Sequence, residues 1–212
     1  MDLIKYKLLF GSCMHNLSRI NIFKSLYYTY KFKGCCIVGK SYIYNTGGVK
    51  FANKNSVFII GINGTTTVGS QLLNEGTIII NGYVSIYKGT KIVVSKNSTL
   101  SIGDGTYINE YCRIFCRKEI KIGSRCAIGF NVDIMDSDLH SIYSEKLQIN
   151  KNESISIANN VWVCAHSTIC KGSKVERNVI VGSNSRVSGN LGSNYIYAGN
   201  PLKKIRQFDS WQ

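Results

Sequence analysis

The feature that most constrains this chain is a spacing of six. Ile157, Val163, Ile169, Val175, Val181 and Val187 follow one another at six-residue steps. Four residues after each of the first five stands a small or β-branched residue: Val161, Ser167, Ser173, Val179 and Ser185. Upstream, the same step runs through Ile122, Ile128 and Ile134, with Cys126 and Val132 four residues on. It runs again through Ile102, Ile108 and Ile114, with Thr106 and Cys112, and a fourth time through Ile80, Ile86 and Ile92. The register slips by two residues between runs, at 99 to 103 and at 119 to 123.

A helix repeats near 3.6 residues and a strand at 2. Six fits neither. It fits a chain that makes one short strand and one turn per step and stacks each turn on the last. The aliphatic residue points inward and the small residue fills the tight space beside it. Twenty glycines, one proline and many Asn and Asp supply corners at which a positive φ is cheap. Such fixed-period self-similarity reads as a parallel β-helix, an all-β solenoid. Gly103-Asp104-Gly105 and Gly61-Ile62-Asn63-Gly64 then read as coil corners, because a phosphate loop needs a strand, G-x-G-x-x-G and a helix. The 212 residues suffice for a buried core, and 44% hydrophobic content excludes a disordered chain.

The beat stops at "IMDSDLHSIYS", 134 to 144, and resumes about twenty residues later. An insertion over 135–154 is therefore expected to leave the coil, carrying His140. A neutral imidazole, with a reference pKa near 6.5, can take the proton of a hydroxyl as that hydroxyl attacks. A carboxylate on the other ring nitrogen would fix the tautomer. Asp138, Asp136 and Glu145 are all close enough in sequence to serve. Of the three histidines, His15 falls in a helix-like N-terminal segment and His166 at a coil position that points outward. His140 is the candidate base.

Lys and Arg outnumber Asp and Glu by 26 to 12, a formal +14. That balance favours anionic partners: a phosphorylated co-substrate, an acidic glycan, anionic lipid or nucleic acid. No basic-aromatic RNA-binding module is present, so nucleic acid is not expected. Eight cysteines without a C-x-x-C read as reduced, packed thiols of a cytosolic protein. Neither a signal peptide nor a spanning helix is expected. Residues 1–38 lack the six-residue beat. Leu17, Ile20, Phe23 and Tyr27 instead have helical spacing, among Arg19, Lys24, Lys31 and Lys33. This segment reads as a cap on the open end of the solenoid, or as a basic aromatic helix on an anionic membrane face. The division is 1–38 as N-terminal segment, 39–192 as β-helix with its 135–154 insertion, and 193–212 as C-terminal tail. Residues 40 to 79 read as irregular early coils.

The stretch "IANNVWVCAHSTICKGSKVERNVIVGSNSRVSG", followed by "YAGNPLKKIR", resembles the hexapeptide-repeat acyltransferases. The resemblance spans roughly residues 80 to 207. It implies a left-handed parallel β-helix with three hexapeptides to a coil, working as a homotrimer with acyl-CoA between neighbours. "DSDLHSIYS" is most similar to the O-acetyltransferases of sugars and bacterial surface polysaccharides, including those of capsular polysialic acid. Ser141 stands where proline is common in those enzymes.

The resemblance implies direct acetyl transfer from acetyl-CoA to a saccharide hydroxyl, with His140 as general base and Asp138 as its orienting acid. A backbone N–H at a coil corner would hold the oxyanion. By the same resemblance, Trp162 lines the acyl-donor pocket and Ala165 and Ser183 meet the pantetheine. Ser188 and Gly189 stand where relatives carry Thr-Lys, so a lysine phosphate contact is missing there. Lys203 and Arg206 meet the nucleotide end of CoA. Asn109 and Tyr143 face the acceptor. No metal is expected, because His140 and His166 do not make the three-histidine set of a carbonic anhydrase on this scaffold. The alternatives are an N-acetyltransferase of an amino-sugar nucleotide and a β-helical binding scaffold. The expected location is the cytoplasm, either free or at the inner face of the cytoplasmic membrane.

Overall fold

The computed structural model describes residues 19–211. The expectations for His15 and Leu17 lie outside the described residues. From Cys35 onward the chain winds as a parallel β-helix with three faces. The first face stacks Cys35–Val38, Val57–Ile60, Tyr83–Ile86, Thr106–Ile108, Ala127–Ile128, Trp162–Val163, Ile180–Val181 and Tyr195–Ala198. The second runs from Ser41–Asn45 to Arg186–Val187, and the third from Gly48–Phe51 to Asn190–Leu191. Lys203–Gln207 folds back antiparallel on Tyr195–Ala198 and ends the first face.

The pairing register sizes the slips: Ile86 pairs with Ile108 and Ile92 with Ile114, coils of twenty-two, so the slip before Ile102 totals four residues, and the slip before Ile122 is two. Val163 pairs with Val181, a coil of eighteen residues and three six-residue steps. Ile108 pairs with Ile128 and Ile114 with Ile134, coils of twenty. Ile128 pairs with Val163, so that coil takes thirty-five residues, and the excess is the insertion. The inward row of the first face, Ile60, Ile86, Ile108, Ile128, Val163 and Val181, is fully buried. Ile92, Ile114, Ile134 and Ile169 make the matching row of the second face. Each buried aliphatic contributes roughly 1.5–3 kcal/mol of transfer free energy.

The small residues four positions on do more than leave room. Thr106 Oγ1 donates to the Gly123 carbonyl (2.7 Å), Ser167 Oγ to Gly182 (2.9 Å) and Ser173 Oγ to Val187 (3.2 Å). Cys112 Sγ does the same to Gly129 (2.9 Å). A buried hydroxyl or thiol thus meets a carbonyl of the next coil at a corner where the strand ladder has stopped. Burial pushes the thiols of Cys112 and Cys116 up to about 12. Asn131, His166 and Asn184 stack at one corner and Asn160, Asn178 and Asn194 at another, all with positive φ. The latter three also join side chain to side chain at 2.9 Å per step.

Among the described residues one helix, α1 (Ile22–Phe32), closes the first coil. Asn21 caps it by accepting from Lys24 N. Ser25 Oγ and Thr29 Oγ1 accept from the backbone N–H groups of Val38 (2.9 Å) and Cys36 (3.0 Å). Lys24 Nζ and Tyr28 OH donate to the carbonyls of Ser41 (2.8 Å) and Ile43 (3.2 Å). The helix thereby satisfies edge strands on two faces, which would otherwise invite another chain, and seats Phe32 in the core. Phe23 and Tyr27 lie on the opposite side and are exposed.

Candidate active site

The insertion leaves the second face after Asp133–Met135 and rejoins the third at Ile155–Ile157. Its start is pinned. Asp136 is fully buried, and its carboxylate accepts from the backbone N–H groups of Arg117 (2.7 Å) and Lys118 (2.8 Å). That assigns Asp136 to the turn of the coil above and away from His140. Ser137 Oγ accepts from Leu139 N (3.0 Å), and Leu139 takes a φ of 66°, turning the chain outward. Further out, Tyr143–Ser144 and Leu147–Gln148 form an antiparallel hairpin. Glu145 and Lys146 both have positive φ at its tip, as a two-residue primed turn requires. Glu145 therefore sits at the hairpin tip, and Tyr143 is exposed on the hairpin's first strand.

Asn150 ties this arch together. Its side-chain oxygen accepts from Ile142 N (2.5 Å). Its amide nitrogen donates to the carbonyl of His140 (2.7 Å) and to Asp138 Oδ2 (3.0 Å). His140 N in turn donates to the Asp138 carbonyl (2.8 Å). The backbone on both sides of His140 is thus fixed while its imidazole stays exposed. Asp138 Oδ2 also accepts from Lys171 Nζ (2.5 Å), one coil further down. The Lys171 and Asn150 hydrogen bonds hold the Asp138 carboxyl below the usual carboxylate range. Asp138 and His140 are brought together along the backbone. The Asp138 carboxylate, however, is turned to Lys171 and Asn150 and makes no hydrogen bond with the imidazole. The ammonium of Lys171 forms a charge-assisted bond to Asp138 Oδ2, and Asn150, already tied to the His140 carbonyl, reaches the same oxygen.

The other predicted residues lie on different sides of the prism. Trp162 projects outward from the first face, next to the corner that joins it to the third. Its ring lies 5.9 Å from that of Trp211, whose Nε1 donates to the Asn160 carbonyl (3.0 Å). Asp209 accepts at its carbonyl from Asn178 Nδ2 (2.8 Å), so the last residues run up the asparagine corner to reach Trp162. Asn109, Ala165 and Ser183 lie at the corner between the first and second faces. The bonds Asn109 N to Ile128 O and Asn184 N to Ala165 O define that column. Ser188 is exposed between the second and third faces. Lys203 and Arg206 are exposed on the antiparallel strand that ends the first face. His140 stands at the corner between the second and third faces, and the whole third face separates it from Trp162. One chain therefore does not bring the predicted base and the predicted donor pocket together.

Asn150, Lys171 and Trp211 were not singled out in the sequence. Trp211 alone had a signal, a second tryptophan isolated in a polar tail. Among the described residues no group of three His, Cys, Asp or Glu is arranged to hold a metal ion.

No protein-family model matches the chain. The crystal structure of the polySia-specific acetyltransferase NeuO superposes with a TM-score of 0.58 at 30% identity, covering 84% of this chain and 83% of that one. Polysialic acid O-acetyltransferase of Neisseria meningitidis is 30% identical over 125 residues, 57% of this chain and 57% of the relative. A hexapeptide-repeat acetyltransferase of Vibrio cholerae O1 biovar eltor, solved with acetyl coenzyme A, has a TM-score of 0.50 at 23% identity. That match covers 57% of this chain and 66% of that one, and it shows the fold.

Proposed function

The chain belongs to the hexapeptide-repeat acetyltransferases, left-handed parallel β-helices, and we propose that it carries an acetyl group from acetyl-CoA to a saccharide hydroxyl. The acceptor is a bacterial surface polysaccharide or its precursor. The observation that carries this reading is the pinned arch, which presents His140 outside the repeat. Buried Asp136 and the Asn150 bonds fix the backbone around an exposed imidazole. The neutral imidazole accepts the proton of the acceptor hydroxyl as its oxygen attacks the thioester carbonyl. The C–S bond breaks, and the proton passes to the departing CoA thiolate. A thioester is already activated, so no acyl-enzyme is needed.

The separation of His140 from Trp162 on one prism supports a site built between neighbours. His140 of one protomer faces the first face of the next, as a homotrimer would arrange. There Trp162 lines the thioester end of the donor, and Ala165 and Ser183 follow the pantetheine. The exposed cations Lys203 and Arg206 meet the phosphates. Asn109 and Tyr143 face the acceptor.

The test is release of free CoA thiol from acetyl-CoA across an acceptor panel: polysialic acid, neutral polysaccharides, simple galactosides and an amino-sugar nucleotide. Acceptor-dependent release with a polysaccharide supports the proposal. Release with the amino-sugar nucleotide alone replaces it with N-acetyl transfer.

A further inference from the structure

A solenoid's end cap is expected to show water a polar outer face. Here it does not. Helix α1 turns Ser25, Tyr28, Thr29 and Phe32 to the first coil. Its other side carries Ile22, Phe23, Leu26, Tyr27 and Tyr30, with relative exposures of 67, 85, 65, 55 and 86%. At 100° per residue these five fill an arc of roughly 140°, an uninterrupted apolar and aromatic stripe. Lys24 and Lys31 border it on one side, and Lys33 follows at the helix C-cap. The charge around it is one-signed: residues 19 to 74 contain seven Lys and Arg and no Asp or Glu.

We propose that this face docks on an anionic lipid surface. Ile22, Phe23 and Leu26 would sink into the headgroup and acyl boundary. Tyr27 and Tyr30 would sit at headgroup level, and Lys31 and Lys33 would meet lipid phosphates, while Lys24 stays tied to the Ser41 carbonyl. An acidic glycan or a nucleic acid would satisfy the lysines but leaves the aliphatic side chains without a counterpart. That is why the observations favour lipid over another polyanion. No helix among the described residues is long and apolar enough to cross a membrane, so the contact is peripheral. Because α1 covers the first coil, the strand that launches the His140 arch lies four strand steps below it, Ser41–Asn45 to Asp133–Met135. That is about 20 Å at ~4.8 Å per step. The helix would hold the reactive loop within reach of a glycan carried on a lipid.

The experiment is co-sedimentation of the full chain with phosphatidylcholine vesicles, with and without phosphatidylglycerol. It compares native protein with a Phe23→Ser, Leu26→Ser, Tyr30→Ser variant and with Lys31→Glu, Lys33→Glu. Phe23→Ser alone keeps the test readable if the triple variant aggregates. The expected result is partition onto phosphatidylglycerol vesicles that is weakened by salt and falls about ten-fold or more in each multiple variant. Unaltered acetyl transfer to a soluble acceptor shows that the variants remain folded. Three results would each overturn the proposal. One is no partition onto anionic vesicles, and another is equal partition of native and triple-variant protein. The third is binding to a soluble polyanion with the same dependence on Phe23 and Tyr30.

Discussion

Asn150 holds the carbonyl of His140 at 2.7 Å with the same amide group that reaches the Asp138 carboxylate at 3.0 Å. One side chain therefore sets the backbone of the proposed base and the position of its nearest acid. Asn150→Ala removes all three bonds of that side chain and leaves the chemistry of His140 intact. We expect kcat to fall about ten- to a hundred-fold with KM for acetyl-CoA nearly unchanged, since Asn150 bonds to the arch and to Asp138 and not to the residues proposed to hold the donor. Asn150→Asp should not rescue it, because a carboxylate cannot donate to His140 and repels Asp138. Steady-state kinetics of both variants check this.

Lys171 gives a prediction in pH. Its bond holds the Asp138 carboxyl below its ordinary value. A depressed carboxyl contributes stability that is present above its unfolded pKa, near 3.9, and lost as pH falls through the lower folded value. Lys171→Ala should move the Asp138 titration up toward 3.9, so that the arch loosens at a higher pH than in the native chain. The ion pair is partly solvated, so the melting temperature near pH 7 should hardly change. Carboxyl-resolved NMR titration of the two proteins reads the shift, and an unmoved Asp138 would refute it.

Trp162 and Trp211 are the only tryptophans in the chain, which makes their contact measurable. Trp211→Phe should keep most of the ring packing, but it loses the bond to the Asn160 carbonyl. Trp162 is then the sole tryptophan, and its emission under red-edge excitation, which spares the tyrosines, should change on titration with acetyl-CoA if it lines the donor. Trp211→Ala should raise KM for acetyl-CoA several-fold with a smaller effect on kcat. A flat fluorescence titration with donor bound would remove Trp162 from the pocket.

The solenoid predicts its own stability pattern. Ile169 is fully buried in a row that continues to Ile134 above and Val187 below. Ile169→Ala should cost roughly 2–5 kcal/mol. Ser167→Ala deletes a buried donor and leaves the Gly182 carbonyl unpaired, for about 1–3 kcal/mol. Ser167→Thr, which keeps the hydroxyl, should lose less than Ser167→Ala. Denaturant melts of the three variants give the order.

What the sequence made readable follows from what is periodic. Ile128 and Val163 announce themselves because inward positions recur, and the thirty-five residues between them announce an insertion because the recurrence fails. His140 could be found by elimination among three histidines. Asn150 could not, since its partners are set by how the arch folds back across ten or twelve residues, and Lys171 meets Asp138 over a separation of 33. The serines and threonines at the corners looked like space-fillers, and only the fold shows the carbonyls they serve. In α1 the apolar spacing of Phe23 and Tyr27 was visible, but the packed side is the one with Ser25 and Thr29. A chain that caps strand edges needs hydrogen-bonding side chains inward, and hydropathy does not register that need.

The central claim is that His140 is the base of an acetyl transfer, and one comparison tests it most directly. Acetyl-CoA-dependent thiol release in the presence of polysialic acid or another accepted glycan is measured for native protein and His140→Ala, with acetyl-CoA affinity measured alongside. The account predicts unchanged donor binding and loss of turnover of about a hundred-fold or more. A variant that binds donor and transfers acetyl at the native rate would contradict it.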